Sequence, residues 1–439
     1  MGLKNLIDGI NHFAWGPPAL MLITGTSLYL MLGLGFMPLR RLLYGARMVF
    51  APSKESDGDI SPFGSLSTAL SATIGNGNIV GVAVAITTGG PGSVFWMWLV
   101  ALVGMATKYA ETVLAVCFRE VDALGNRVGG PMYFLRNGVG GSLGKILGWL
   151  YAFFGAIGGL GIGNAFQSWS VAGAVKDSMG IPHLVSGVVM AALVFLVIIG
   201  GIRRIGAVSQ WLMPAMSLLY VATALVILLI LAPRVPAAFQ LIFDDAFSGR
   251  AVAGGAIGTT IRYGIARGVF SNEVGLGTAS IAHAAARTDN PVRQATVAML
   301  GPFIDTIVIC SMTALVILTT GAWQSDATGV ALPLEAFNTA INGSGWIVVL
   351  VLVLFGFSTM VGWSYHCERC TEYLLGEVAI KPFRYVWVAA VVLGSVANPP
   401  IIEELLGTIN GLMALPNLVG LVLLSGTVFS FTRHYAFRD

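Results

Sequence analysis

Charge is scarce in this chain. Only 10% of its 439 residues are Asp, Glu, Lys or Arg, where a soluble domain carries about 25%. That shortage argues against an ordinary soluble domain; the net charge of +3 is too small to speak for nucleic acid, which is not an expected partner. The hydrophobic share is 56% and the mean hydropathy +0.82. Apolar runs of about 18 or more residues recur along the whole length. The chain reads as a polytopic all-α membrane protein.

Cysteine is scarce too. Of the four, Cys367 and Cys370 stand together in "HCERC" at the end of an apolar run. A metal or redox pair is the sharp reading of that spacing. No second pair or His cluster completes a four-ligand site, and haem attachment would place the His after the second Cys. They read as small residues at a helix end. The N-terminus shows no short apolar core with a small-residue cleavage site, and Leu6 breaks a myristoylation pattern. His283, His366 and the intramembrane serines form no nucleophile–base pair, so an intramembrane enzyme is not expected.

What is present is a set of eleven candidate spans, near 15–38, 63–89, 94–118, 146–174, 182–201, 207–232, 257–285, 293–320, 346–374, 382–397 and 402–432, with "NPP" at 398–400 stopping the tenth. With the N-terminus outside, the inner connections hold sixteen Lys and Arg, among them Arg40, Arg119, Arg203 and Arg384, against four on the outer side. That bias predicts N-out and C-in with an odd number of spans.

Two spans are interrupted. The second carries "SATIGNGNIVG" at 71–81 and the seventh "SNEVGLG" at 271–277. Paired broken segments in corresponding places of two halves point to a transporter with inverted repeats. Two five-span blocks follow, 63–232 and 257–432. An extra helix and basic loop precede them in 1–62, a connection fills 233–256, and a tail closes 433–439. A break frees amides at a positive helix end, which suit a carboxylate. It also frees carbonyls at a negative end, which suit a small hard cation. Close-packing glycines would explain Gly75, Gly77 and Gly81 equally well if the segment stood alone. The strand–turn–helix context of a nucleotide loop is missing.

Several intramembrane polar residues join this list. Gln167 either bonds a neighbouring helix or faces the cavity. Ser358 and Thr359 are adjacent hydroxyls, with Trp363 on the same helix face as Thr359; the hydroxyls could back-bond to the preceding turn and Trp363 could simply pack. Phe270 could cap a pocket. Lys108 and Glu111, at i, i+3, are expected to pair with each other or snorkel. Glu273 is expected to accept from amides exposed at the second break, with a direct cation ligand as the alternative. Asp305, beside Thr306, is either a proton or ion relay or a packing residue. A channel and a nutrient receptor remain alternatives, told apart by conductance and by binding without uptake.

The strings "GGPGSVFWMWLVALVGMATKYAE" (89–111), "ARGVFSNEVGLGTASIAHAAA" (266–286) and "TIGNGNIVGVAVAI" (73–86) closely resemble the alanine or glycine:cation symporters, also called sodium:alanine symporters. Nearly the whole chain shares the resemblance. Asn76 departs from the small residue or Thr usual at its place in the family. The resemblance implies a leucine-transporter-like five-plus-five inverted repeat with one extra N-terminal helix. It implies Na⁺-driven import of alanine, glycine or a similar small neutral amino acid, with both enantiomers of alanine within range; an H⁺-coupled carrier, or one for serine or glutamine, is the alternative. It places the substrate against Thr73, Asn76, Gly77, Gln167, Phe270, Thr359 and Trp363. It places Na⁺ among the carbonyls of Ser71, Ile74 and Phe355 and the hydroxyls of Ser358 and Thr359. Some relatives of this fold replace Na⁺ by a Lys on the fifth repeat helix, where this chain has only Tyr220 as an ionisable group. The expected partners are the amino acid, Na⁺ and the lipid bilayer of the inner membrane, with the transporter acting as a monomer.

Overall fold

A computed structural model describes residues 13–51, 57–247, 258–397 and 406–435, together with Gly9, Asn11 and Phe437. Helices account for nearly all of these. Helix α1 is Pro17–Gly33, followed by a short amphipathic helix α2, Leu42–Val49. Two half-helices come next, α3 (Pro62–Thr73) and α4 (Val80–Gly89), then α5 (Ser93–Cys117), α6 (Gly141–Met179), α7 (His183–Ile198) and α8 (Gly201–Ile230). After α9 (Val235–Ala246), a second pair of halves appears, α10 (Thr259–Asn272) and α11 (Thr278–Ala284). The chain continues as α12 (Pro291–Thr320), α13 (Ala331–Ala340), α14 (Gly345–Leu375), α15 (Glu377–Val396), α16 (Gly407–Leu423) and α17 (Ser425–His434). The sheet among the described residues is a two-stranded hairpin, Glu120–Val121 against Arg127–Val128.

Among the described residues six helices, α5, α6, α8, α12, α14 and α15, are each long and apolar enough to cross a membrane. The pairs α3/α4 and α16/α17 pass the same test as bent units, turned by 63° and 55°. Predicted spans and observed helices mostly agree, with differences at their ends. The fourth extends to Gly141–Met179, where Gly180 closes it in a left-handed turn (φ 71°). The sixth begins at Gly201 rather than 207. The predicted outer connection contains α9, and the bend inside 402–432 was not foreseen. The "NPP" stop lies outside the described residues.

Local chemistry sets the starts of the halves. Ser61 caps α3 by accepting from the Gly64 N–H at 3.0 Å, and Pro62 fills the first turn, where no N–H is needed. Among the described residues two large apolar clusters and a small one of Ala69, Ala279 and Ala282 pack the interior. Leu218 and Leu229 of α8 and Val188 and Leu196 of α7 face outward, an arrangement that suits lipid and not water. At one end of the bundle the segments next to α3 and α11 run side by side. The Asp59 N–H donates to Ala285 O at 2.8 Å and the Arg287 N–H to Ile60 O at 2.7 Å. The Arg119 guanidinium, just past α5, bridges both by donating to Ala286 O (2.9 Å) and Thr288 O (2.7 Å) on one and to Asp57 O (3.3 Å) on the other. The two broken spans are therefore joined at their ends.

Candidate substrate and ion site

The first break is short. Thr73 ends α3, Ile74 leaves the helix with ψ 97°, and Gly75 is extended. Asn76–Asn78 make one tight turn before α4 begins. Every freed polar group must find a partner at this depth. The partners come from the break's own turn and from two other helices. The Asn78 side chain folds back to accept from the Gly75 N–H at 2.9 Å. The Asn76 N–H donates to Gln167 Oε1 on α6 at 3.2 Å. Ser358 of α14 donates its hydroxyl to Ser71 O, and Thr359 donates to Ile74 O, each at 3.2 Å.

These contacts bring together four of the five residues predicted to bind the cation. Oxygen ligands lie about 2.3–2.6 Å from a hard cation, which puts neighbouring ligands at right angles about 3.3–3.7 Å apart. The two 3.2 Å pairs are close to that spacing. Phe355 lies one turn earlier on the same face of α14, fully buried, with its ring against Tyr220.

The predicted substrate residues separate into two groups. Asn76, Gly77, Gln167 and Phe270 converge. A β-carbon added to Gly77 would stand 3.4 Å from two carbons of the Phe270 ring, so that ring lies directly over the break. Gln167 follows a π-helical turn, Leu160–Ala165, and its Nε2 donates to the freed Ile162 carbonyl at 3.2 Å. Its Oε1 therefore stands at the Asn76 amide as a neutral oxygen. Thr73 is occupied otherwise, its hydroxyl back-bonding to Ala69 O and Leu70 O. Trp363 is 1% exposed, and its indole N–H donates to Glu273 at 2.8 Å. Its ring packs where Gly159 and Gly163 of α6 have no side chain; a β-carbon at Gly163 would come within 2.3 Å of Cγ.

The second break is built differently. Glu273 takes a left-handed conformation (φ 54°), as do Gly275 and Gly277. Buried side chains satisfy its backbone almost residue by residue. Lys108 donates to Glu273 O (2.8 Å), Asn417 to Gly275 O (2.8 Å) and Tyr151 to Leu276 O (2.9 Å). Asn272 accepts from the Val274 N–H (3.1 Å), and Glu111 from the Gly277 N–H (3.1 Å) and from Asn417 (2.8 Å). Two expectations are corrected here. Lys108 and Glu111 do not simply pair with each other: each holds a different backbone group of the break. Glu273 accepts from the Trp363 indole and the Thr278 hydroxyl, not from exposed amides.

Asp305 was legible only as a choice of roles. It lies in a π-helical stretch of α12, Phe303–Cys310, fully buried. Asn78 donates to its Oδ1 at 2.7 Å, while Ser271 and Thr306 donate to Oδ2 at 2.8 and 2.9 Å. It thus ties both breaks to α12, with Asn78 and Ser271 as partners the sequence reading passed over. Tyr220 reaches the same region indirectly. Its hydroxyl bonds Thr313 at 2.6 Å, and Thr313 donates to Asn78 O at 2.9 Å. Cys367 donates to Gly155 O at 3.3 Å and all four cysteines are free, so the pair is a helix-packing contact.

Broken helices lined by buried hydroxyls and amides, inside a bundle with a lipid-facing apolar surface, define a multi-pass membrane transporter. The sodium:alanine symporter family matches over residues 1–439, and the chain belongs to that family. The sodium/alanine symporter AgcS of Methanococcus maripaludis is 47% identical, over 99% of this chain and 98% of its own length. A probable sodium/glutamine symporter, GlnT of Bacillus subtilis, is 32% identical over 99% of this chain and 91% of its own. Among solved structures, MhsT in complex with L-phenylalanine shares the fold at a TM-score of 0.58 and 12% identity, covering 87% of this chain and all of that one. The protein is a transporter and not an enzyme.

Proposed function

We propose that this chain is an Na⁺-coupled symporter that imports alanine, glycine and similarly small neutral amino acids by alternating access. Both enantiomers of alanine fall within this reading. The observation that carries it is the asymmetry of the two breaks. Charged and amide side chains saturate the second break and make it structural. Neutral groups that can turn away, Gln167, Ser358 and Thr359, satisfy the first break. A substrate carboxylate would displace Gln167 Oε1 at the amides of Asn76 and Gly77, with Thr359 and Phe270 closing the pocket, while Thr73 and Trp363, held elsewhere, stay outside it. Na⁺ would enter among the oxygens of Ser71, Ile74, Phe355, Ser358 and Thr359.

The same reading gives eleven spans, blocks 63–232 and 257–432 as inverted repeats, and a monomer in the inner membrane with N-terminus out and C-terminus in. Loop Lys and Arg support that orientation. Asp305 gives a specific reason for the H⁺-coupled alternative, because a buried carboxyl with only neutral donors around it can carry a proton. A thermal-shift panel of alanine, glycine, serine and glutamine, each in Na⁺ and in K⁺, tests the reading. Stabilisation by alanine and glycine in Na⁺ alone is expected; stabilisation by glutamine without alanine, or in K⁺ equally, would contradict it.

A further inference from the structure

A groove of about 410 Å³ lies between α8 and the joint of the two broken spans. Arg203, Gln210 and Trp211 of α8 line one wall. Asp59 and Ile60, which lead into α3, and Arg287, which follows α11, line the other. The walls meet closely: Ile60 packs where Gly206 has no side chain, and the Gln210 amide where Gly64 has none. The mouth of the groove is basic. Arg203 stands 3.7 Å from Asp59, and its own side chain is 76% exposed. Arg287 is exposed too; its Nε donates to Gly58 O at 3.4 Å, and among the described residues it meets no carboxylate. Asp59, the acid of the lining, is buried and accepts from the Arg127 N–H at 2.7 Å. The groove runs on into an apolar stripe. Trp211 is 83% exposed and Leu218 69%, and with Arg204 they recur every seven residues on one face of α8. Arg203 and Trp211 are about 12 Å apart along the helix axis. Guanidiniums at a helix end, an indole below them and leucine beyond follow the order of headgroup, interface and acyl chain in one phospholipid.

We propose that this groove binds an anionic phospholipid of the inner leaflet, with its phosphate on Arg203 and Arg287 and one acyl chain along Trp211 and Leu218. The choice of leaflet rests on the orientation proposed above; the site itself does not depend on which solute is carried. A guanidinium presents paired, permanently charged donors to phosphate oxygens. A free phosphate would fill the mouth and leave the indole and the leucine uncovered, so the apolar stripe selects a lipid. A phosphate held by both arginines would also strap α8 to the joint. The Arg287 N–H donates to Ile60 O at 2.7 Å and the Asp59 N–H to Ala285 O at 2.8 Å, so the strap crosses the ends of both broken spans. A lipid bound there favours the arrangement in which the two walls touch, and parting α3 from α8 would have to release it.

The test is quenching of Trp211 by brominated lipid in phosphatidylcholine nanodiscs, with neither Na⁺ nor amino acid present. The Trp211 signal is the difference between the wild type and Trp211→Phe. Dibrominated phosphatidylglycerol should reach half of its quenching at a mole fraction about five- to thirtyfold below that of dibrominated phosphatidylcholine, as two arginines near an anionic headgroup allow. In Arg203→Gln/Arg287→Gln the two lipids should quench alike, and Arg203→Lys/Arg287→Lys should keep most of the preference. Phosphatidylglycerol should also raise the melting temperature of the wild type and leave that of the Gln pair unchanged. If the Gln pair does not fold, the single Gln variants replace it, each with a smaller loss of preference. Equal quenching by the two lipids in the wild type, an unchanged preference in the Gln variants, or displacement of phosphatidylglycerol by millimolar inorganic phosphate would overturn the lipid site. A wild-type melting temperature indifferent to phosphatidylglycerol would overturn the strap. Uptake of labelled alanine by the wild type is read separately, and its failure would overturn the symporter reading while the lipid site stood.

Discussion

Gln167 Oε1 accepts a hydrogen bond from the Asn76 backbone N–H at 3.2 Å, across 91 residues of chain. A neutral side chain so holds an amide that a helix end makes ready for an anion. In the proposed function Gln167 would be both a lining residue and a plug that the substrate displaces.

Replacing Gln167 with Ala should raise the alanine concentration for half-maximal uptake by about two- to tenfold, the equivalent of one hydrogen bond. Gln167→Glu should be worse, because it sets a carboxylate against the incoming carboxylate. Concentration series in proteoliposomes measure both, and unchanged values would leave Gln167 a purely structural residue.

Thr359→Ala removes one of the oxygens paired near the first break. The Na⁺ concentration for half-maximal uptake should rise about tenfold, or about 1.4 kcal/mol of lost ion binding. Thr306→Ala, in the Asp305 network and away from those oxygens, should shift it less. Equal shifts would remove Thr359 from the ion site.

Gly163 is the residue against which Trp363 packs. A β-carbon there would fall 2.3 Å from the indole Cγ, so Gly163→Ala must move the ring or the helix. Overpacking of this kind costs about 1–3 kcal/mol, which a lower melting temperature of the purified protein would report.

Glu273 holds the same indole from the other end. Glu273→Ala leaves the Trp363 N–H buried without a partner, at a cost of about 1–3 kcal/mol, whereas Glu273→Gln keeps an acceptor and should cost less. Thermal unfolding of the two variants gives the order; equal losses would mean that charge, not the hydrogen bond, is what matters there.

The positions of the breaks could be read from the chain because glycines and short polar residues interrupt otherwise apolar spans at 71–81 and 271–277. Their inequality could not. It depends on Lys108, Glu111, Tyr151 and Asn417, whose partners lie on distant stretches of chain. Spacing alone suggested that Lys108 and Glu111 pair, since i, i+3 neighbours share a face; burial beside an unwound segment gives each a better partner. The helices α9 and α13 escaped notice because they are short and lie in connections. The π-helical turns at Leu160–Ala165 and Phe303–Cys310 leave no periodic mark, yet they set Gln167 and Asp305 in place.

The most direct measurement of the central claim is uptake of labelled alanine into proteoliposomes of the purified protein, with an inward Na⁺ gradient and with K⁺ in its place. The account predicts accumulation that requires the Na⁺ gradient and collapses when the gradient is dissipated. Equal accumulation in K⁺, or accumulation driven by a proton gradient with no Na⁺ present, would contradict it.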